Sequence, residues 1–121
     1  MSHTILVVDD EADVRAFLTA VLEKEGHRVV TAPDGRQALR IAEEEQPDLI
    51  ILDLQMPEAT GTDFYRRLTK DEALRNTPII VVSGVPGRHL AVTRPFAVFE
   101  KPIVPDEFAA TVERALAESH D

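Results

Sequence analysis

Residues 4–25 read TILVVDDEADVRAFLTAVLEKE. The first five, Thr4–Val8, are β-branched or apolar without polar alternation, the pattern of a strand covered on both faces. Residues 11–25 then place Val14, Phe17, Leu18, Val21 and Leu22 on one helical stripe. Gly26, which takes positive φ at little cost, stops that helix. Asp9, Asp10 and Glu11 crowd the junction between strand and helix. A doubly buried strand feeding an amphipathic helix is the first half of a βαβ unit.

The same alternation continues along the chain. Arg28–Ala32 (RVVTA) reads as a second strand. Asp34 suits the N-cap of a helix over residues 35–45, with Gln37 three positions on and Pro47 ending it. Residues 49–52 (LIIL) form a third buried run that closes at Asp53. Residues 62–70 look helical, with Phe64, Tyr65 and Leu68 on their apolar side. Residues 78–82 (PIIVV) make a fourth run ending at Ser83, and residues 97–99 a short fifth ending at Glu100–Lys101–Pro102. Residues 105–118 read as a last helix with Pro105 at its start and Phe108, Val112, Ala115 and Leu116 in its stripe. Buried strands alternating with helices imply an α/β fold with a parallel sheet covered on both faces. Five strands in 121 residues suit a small doubly wound sheet, since a barrel needs roughly twice that length. Gly84, Pro86, Gly87 and Pro95 interrupt the stretch between Ser83 and Lys101, leaving about residues 88–93 for a shortened or irregular helix there.

Composition narrows the function classes. A chain of this length buries roughly two-thirds of its unfolded surface and needs no staples. It has no cysteine, which excludes disulfides, thiolate metal sites and thiol catalysis. Thirteen basic against 22 acidic residues give a net charge of −9, which disfavours direct binding to nucleic acid or to an anionic membrane. Neither a signal peptide nor a membrane span is expected. The glutamates at 43–45 read as a solvated helix face, and His3, His27, His89 and His120 lack metal-ligand spacing.

In open parallel sheets the functional crevice lies beyond the carboxyl ends of the strands. There the chain places Asp9 and Asp10 after the first run, Asp53 after the third, Ser83 after the fourth and Lys101 after the fifth. Taken singly, each is commonly a cap, a turn residue or a solvated side chain; following different strands in order at one edge, they form a constellation. Clustered carboxylates raise one another's pKa unless a cation sits among them. Hard oxygen ligands in a partly hydrated site suit magnesium, and magnesium bridges carboxylates to phosphoryl oxygens. Asp53 could attack phosphorus as a carboxylate nucleophile, with Lys101 pairing to one phosphoryl oxygen and Ser83 donating to another.

These residues resemble the receiver domain of bacterial two-component response regulators. The set Asp9–Asp10, Asp53 within LIILDLQMP, Gly61, Ser83 and Lys101–Pro102 matches that family in order and near its spacing, from about Thr4 to about Leu116. The resemblance implies a flavodoxin-like doubly wound five-stranded parallel sheet of order 2-1-3-4-5. It implies a single receiver domain over residues 1–121, cytoplasmic, with no effector domain in the chain. Asp53 would accept a phosphoryl group from a phosphohistidine on a sensor histidine kinase or histidine phosphotransfer protein, and the chain would not be an enzyme in its own right. Asp10 and Asp53 would ligate magnesium directly with the backbone carbonyl of Gln55, and Asp9 would act mainly through water. Ser83 would be the switch hydroxyl, Lys101 would contact the phosphoryl group, and the Lys101–Pro102 peptide would be cis. Met56 and Pro57 would shape the loop after Asp53, while Gln55 and Val85 occupy positions that tune loss of the phosphoryl group to water.

Two features depart from the family. An aromatic switch residue is usual three positions before the lysine, and Val98 stands there. Phe96 and Phe99 are out of register, because a one-residue shift in a strand turns a side chain to the other face. The interval from Ser83 to Lys101 is also short and rich in proline and glycine. Phosphorylation chemistry with a non-standard output is therefore expected. Two alternatives remain open: a degenerate receiver acting as a phosphorylation-independent interaction module, and a phosphatase or phosphotransferase of the haloacid-dehalogenase type. The latter usually needs a second acid two residues after the nucleophile, where Gln55 stands.

Overall fold

In a computed structural model the described residues are 3–53, 60–83 and 95–119. Their elements run β1 (Thr4–Val8), α1 (Ala12–Lys24), β2 (Arg28–Ala32), α2 (Gly35–Glu45), β3 (Leu49–Asp53), α3 (Thr60–Thr69), β4 (Ile79–Ser83), β5 (Ala97–Glu100) and α4 (Pro105–Ser119). The expectations for Gln55, Met56, Pro57 and Val85, and for the irregular helix over about residues 88–93, lie outside the described residues.

All five strands pair in parallel, in the order β2-β1-β3-β4-β5. Every residue of β3 and β4 is buried, as their uninterrupted apolar runs require. Side chains alternate strictly between two cores. Ile5, Val7, Leu49, Ile51, Ile80 and Val82 meet Leu18 and Leu22 of α1 and Phe108, Val112, Ala115 and Leu116 of α4. Leu6, Val8, Ile50, Leu52, Ile79 and Val81 meet Ala38 and Ala42 of α2 and Phe64 and Leu68 of α3. The two small alanines let α2 approach the sheet closely. The edge strands differ: β5 alternates between half-buried and exposed, and β2 is only partly covered.

The helix ends show where sequence and structure part. Asp34 caps α2 as expected, its Oδ1 accepting the Gln37 N–H at 2.8 Å. The Gln37 amide donates to Asp34 Oδ2 instead of reaching the Asp34 backbone. The stop of α2 is Gln46 in the left-handed region at φ 48°, one residue before Pro47. Gly26 follows α1 with φ 92°, where a side chain would be strained. Glu11 occupies the N-cap of α1, yet its side chain makes no capping hydrogen bond. Phe17, assigned to the buried stripe of α1, is 41% exposed, so the stripe is narrower than its spacing suggests and rests on Leu18 and Leu22.

Candidate functional site

The carboxyl ends of β1, β3, β4 and β5 bring the expected residues to one edge. Asp9 lies just past β1, and its N–H donates to the Ala32 carbonyl at 3.2 Å. Two further contacts fix it. Its Oδ1 accepts the Glu11 N–H at 2.9 Å, and its backbone oxygen accepts from Arg15 Nη1 at 2.7 Å. Asp53 closes β3 in register with Val82 of β4. Both aspartates are 1% exposed, whereas Asp10 and Glu11 are exposed. Ser83 closes β4, 2% exposed, and its carbonyl accepts the Lys101 N–H at 3.0 Å. That bond carries the chain out of β5 beside β4, and the next peptide, Lys101–Pro102, is cis.

Lys101 is the positive centre of this edge. Its Nζ lies 3.3 Å from Glu11 Oε1, 3.5 Å from Asp9 Oδ2 and 3.6 Å from Asp53 Oδ2. Burial pulls the lysine's pKa down, but the charges of Asp53 and Asp9 and the hydrogen bond that Lys101 donates to Glu11 outweigh it, and the net shift is upward. It therefore stays charged. Burial is also the main influence on Asp9, raising its carboxyl; the Glu11 N–H opposes this, Asp53 adds to it and Lys101 opposes it. The result is a pKa pushed up to about 6.

Asp9, Asp10, Glu11 and Asp53 each offer a carboxylate oxygen, and these atoms lie within 4.8 Å of one another. Among the described residues, the Lys101 ammonium contacts three of these four carboxylates. Asp9 Oδ2 is buried without a hydrogen bond among the described residues. An all-oxygen donor set with excess negative charge and a buried oxygen lacking a donor fits a small hard divalent cation. Gln55, assigned to the same site through its carbonyl, falls outside the described residues.

The alternation of the strands divides the site. Asp53 pairs with Val82 and so shares the side of the sheet covered by α1 and α4. Ser83 pairs with Glu100, and Val98 pairs with Val81, on the other side. Val98 is 39% exposed. Phe99 turns the opposite way and packs edge-on against Phe108, ring centroids 5.4 Å apart. Two contributors escaped the sequence reading. Glu11 was read as the start of a helix, yet its carboxylate makes the shortest contact to Lys101. Arg15 was an unremarked helix residue; a basic side chain one turn into α1 was the signal that it could reach back to the β1–α1 junction.

With this geometry in place, comparisons with known proteins are informative. The family model for the response regulator receiver domain matches residues 5–113. Protein Rrf1 of Nitratidesulfovibrio vulgaris is 31% identical over 117 residues, covering 97% of this chain and 85% of Rrf1. The response regulator PleD of Caulobacter vibrioides is 44% identical over 89 residues, 73% of this chain but 19% of PleD. Among solved structures, the chemotaxis protein CheY4 of Vibrio cholerae superposes with a TM-score of 0.86 at 29% identity, covering 95% of this chain and 99% of CheY4. That likeness and the strand order together establish the flavodoxin-like fold. The acidic edge, the sheet that builds it and the match over most of the sequence agree: the chain belongs to the response regulator receiver domains.

Proposed function

We propose that this receiver accepts a phosphoryl group on Asp53 from a phosphohistidine of a sensor histidine kinase or histidine phosphotransfer protein, in the cytoplasm, and thereby alters its interactions with a downstream protein. The observation that carries the reading is the burial of Asp53 at the end of a central strand, with Lys101 Nζ 3.6 Å from its Oδ2 and Asp9 beside it. An Asp53 carboxylate oxygen would attack phosphorus. The new O–P bond forms as the N–P bond breaks, and the electron pair returns to the imidazole, which takes up a proton. Asp10 and Asp53, with Asp9 and the carbonyl of Gln55, would hold magnesium. Bound magnesium supplies positive charge to the phosphoryl oxygens. Lys101 would pair with one of these oxygens, and Ser83 would move to donate to another. Burial of Asp53 limits access of water to the acyl phosphate once formed.

Within this reading the chain is a phosphoacceptor rather than a turnover enzyme, and the output step departs from a hydroxyl–aromatic couple. Val98, two residues along the same face from the position that pairs with Ser83, has no ring to rotate. No helix among the described residues is long and apolar enough to cross a membrane.

The test is intact-mass measurement after incubation with magnesium and acetyl phosphate. Wild type should gain one labile phosphoryl group, and Asp53→Ala should gain none. A wild type that stays unmodified would sink the proposal, and steady hydrolysis of an added phosphomonoester would move the assignment to the hydrolase class.

A further inference from the structure

Of the three carboxylates around Lys101, the nearest is the one outside the buried pair. Glu11 Oε1 is 3.3 Å from Nζ with a side chain 60% exposed, while Asp9 and Asp53, at 3.5 and 3.6 Å, are 1% exposed. Glu11 also occupies the N-cap of α1 without capping it, so its carboxylate serves the lysine rather than the helix. From these two observations we propose that Glu11 is a positioning residue that holds Lys101 toward solvent and competes with the incoming phosphoryl group for the ammonium. The inference rests on the assignment of Asp53 as phosphoacceptor and adds a control that this chain's own sequence builds into the site.

The direction of the pull follows from position. Asp9 and Asp53 meet the lysine from buried positions at the sheet edge. Glu11 meets it from an exposed position at the N-cap of α1. A phosphoryl group on Asp53 must draw Nζ toward itself, and every hydrogen bond retained with Glu11 opposes that move. Removing the competitor should strengthen the phosphorylated state and its mimic. A partly exposed ion pair of this kind is a modest interaction. The expected effect is therefore small, roughly two- to five-fold.

Two variants separate contact from overall charge. Glu11→Gln removes the charge. Glu11→Asp keeps the charge, shortens the reach, and places at the N-cap a side chain that prefers to accept the helix N–H groups. Beryllofluoride affinity is measured with saturating magnesium, alongside the phosphorylation rate with acetyl phosphate as its concentration varies. Asp13→Asn serves as a charge control in the same helix turn, and magnesium alone is titrated against each protein. Both Glu11 variants should bind beryllofluoride roughly two- to five-fold more tightly, with Asp13→Asn and the affinity for magnesium alone unchanged. The inference is overturned if Glu11→Asp behaves as wild type while Glu11→Gln does not, since bulk charge then suffices. It is equally overturned if neither variant differs from wild type, or if Glu11→Gln loses magnesium affinity, which would make Glu11 a ligand. Wild type taking a phosphoryl group on Asp53 in the same assay separates failure of this inference from failure of the phosphoacceptor assignment.

Discussion

Replacing Asp9 by Asn should stabilise the protein while weakening its response to magnesium. Asp9 is 1% exposed, and its carboxyl is pushed up from 3.8 to about 6, chiefly by burial. A carboxyl whose pKa is higher in the folded state favours folding when protonated and opposes it when ionised. The penalty is absent well below 3.8 and fully present above about 6. At about 1.4 kcal/mol per pKa unit, a shift of about two units means that ionised Asp9 costs the fold roughly 3 kcal/mol near neutral pH. By the same linkage the cost falls to about half that near pH 5 and to a small fraction of it near pH 4. Asparagine keeps an oxygen for the Glu11 N–H, which Asp9 Oδ1 now accepts at 2.9 Å, so that local hydrogen bond survives.

Urea denaturation at several pH values, with and without magnesium, measures this directly. Without magnesium, Asp9→Asn should exceed wild type by about 1–3 kcal/mol at pH 7.5, with the gain shrinking steadily toward pH 4. The buried amide NH2 that the substitution introduces has donors of its own to satisfy, and this keeps the gain below the full penalty. Magnesium should stabilise wild type by mass action and the variant much less. A variant no more stable than wild type, or a gain that does not change with pH, would refute the view that Asp9 is held ionised against its environment. A variant that magnesium stabilises as strongly as wild type would refute the place of Asp9 at the cation site.

The fold offers two sharper tests. Asp34→Ala removes the 2.8 Å cap on the Gln37 N–H and should cost about 1 kcal/mol, seen as a lower urea midpoint with an unchanged slope. Phe108→Ala empties a fully buried site between α4 and the sheet and strips the edge-on partner of Phe99; it should cost about 3–5 kcal/mol in the same assay.

The central strands were legible because both their faces are buried. Leu49–Asp53 and Ile79–Ser83 carry no polar interruption, and parallel strands so covered admit few topologies. The candidate site followed from the strand ends, since Asp9, Asp53 and Ser83 are the first polar groups after apolar runs and Lys101 stands one residue past the end of the fifth. Side-chain choices at helix ends were harder to read. Glu11 could cap α1 or reach across the sheet edge, and only the position of Lys101, ninety residues away, decides between them. Phe17 fits the helical stripe by spacing, but α1 packs over one edge of the sheet, and the core there closes on Leu18 and Leu22. Arg15 offered only its place one turn into α1 as a signal: its partner is the backbone oxygen of Asp9, and backbone acceptors leave no trace in composition.

The strand period of two explains why the absence of an aromatic at Val98 cannot be repaired by its neighbours. Phe99 is adjacent in sequence but points into the core beneath α4, where its ring is held by Phe108 and its partner strand residue is Val82. Bringing that ring to the face of Ser83 would require sliding β5 by one residue. Such a slide would expose Phe99, bury Glu100 and break the Lys101 N–H bond to the Ser83 carbonyl that sets the lysine in place. The register that brings Lys101 Nζ to 3.6 Å from Asp53 is thus the same register that turns Phe99 away from the face of Ser83. The lysine, tied to Ser83 through its backbone and to Glu11 at the start of α1 through its side chain, spans both ends of that edge.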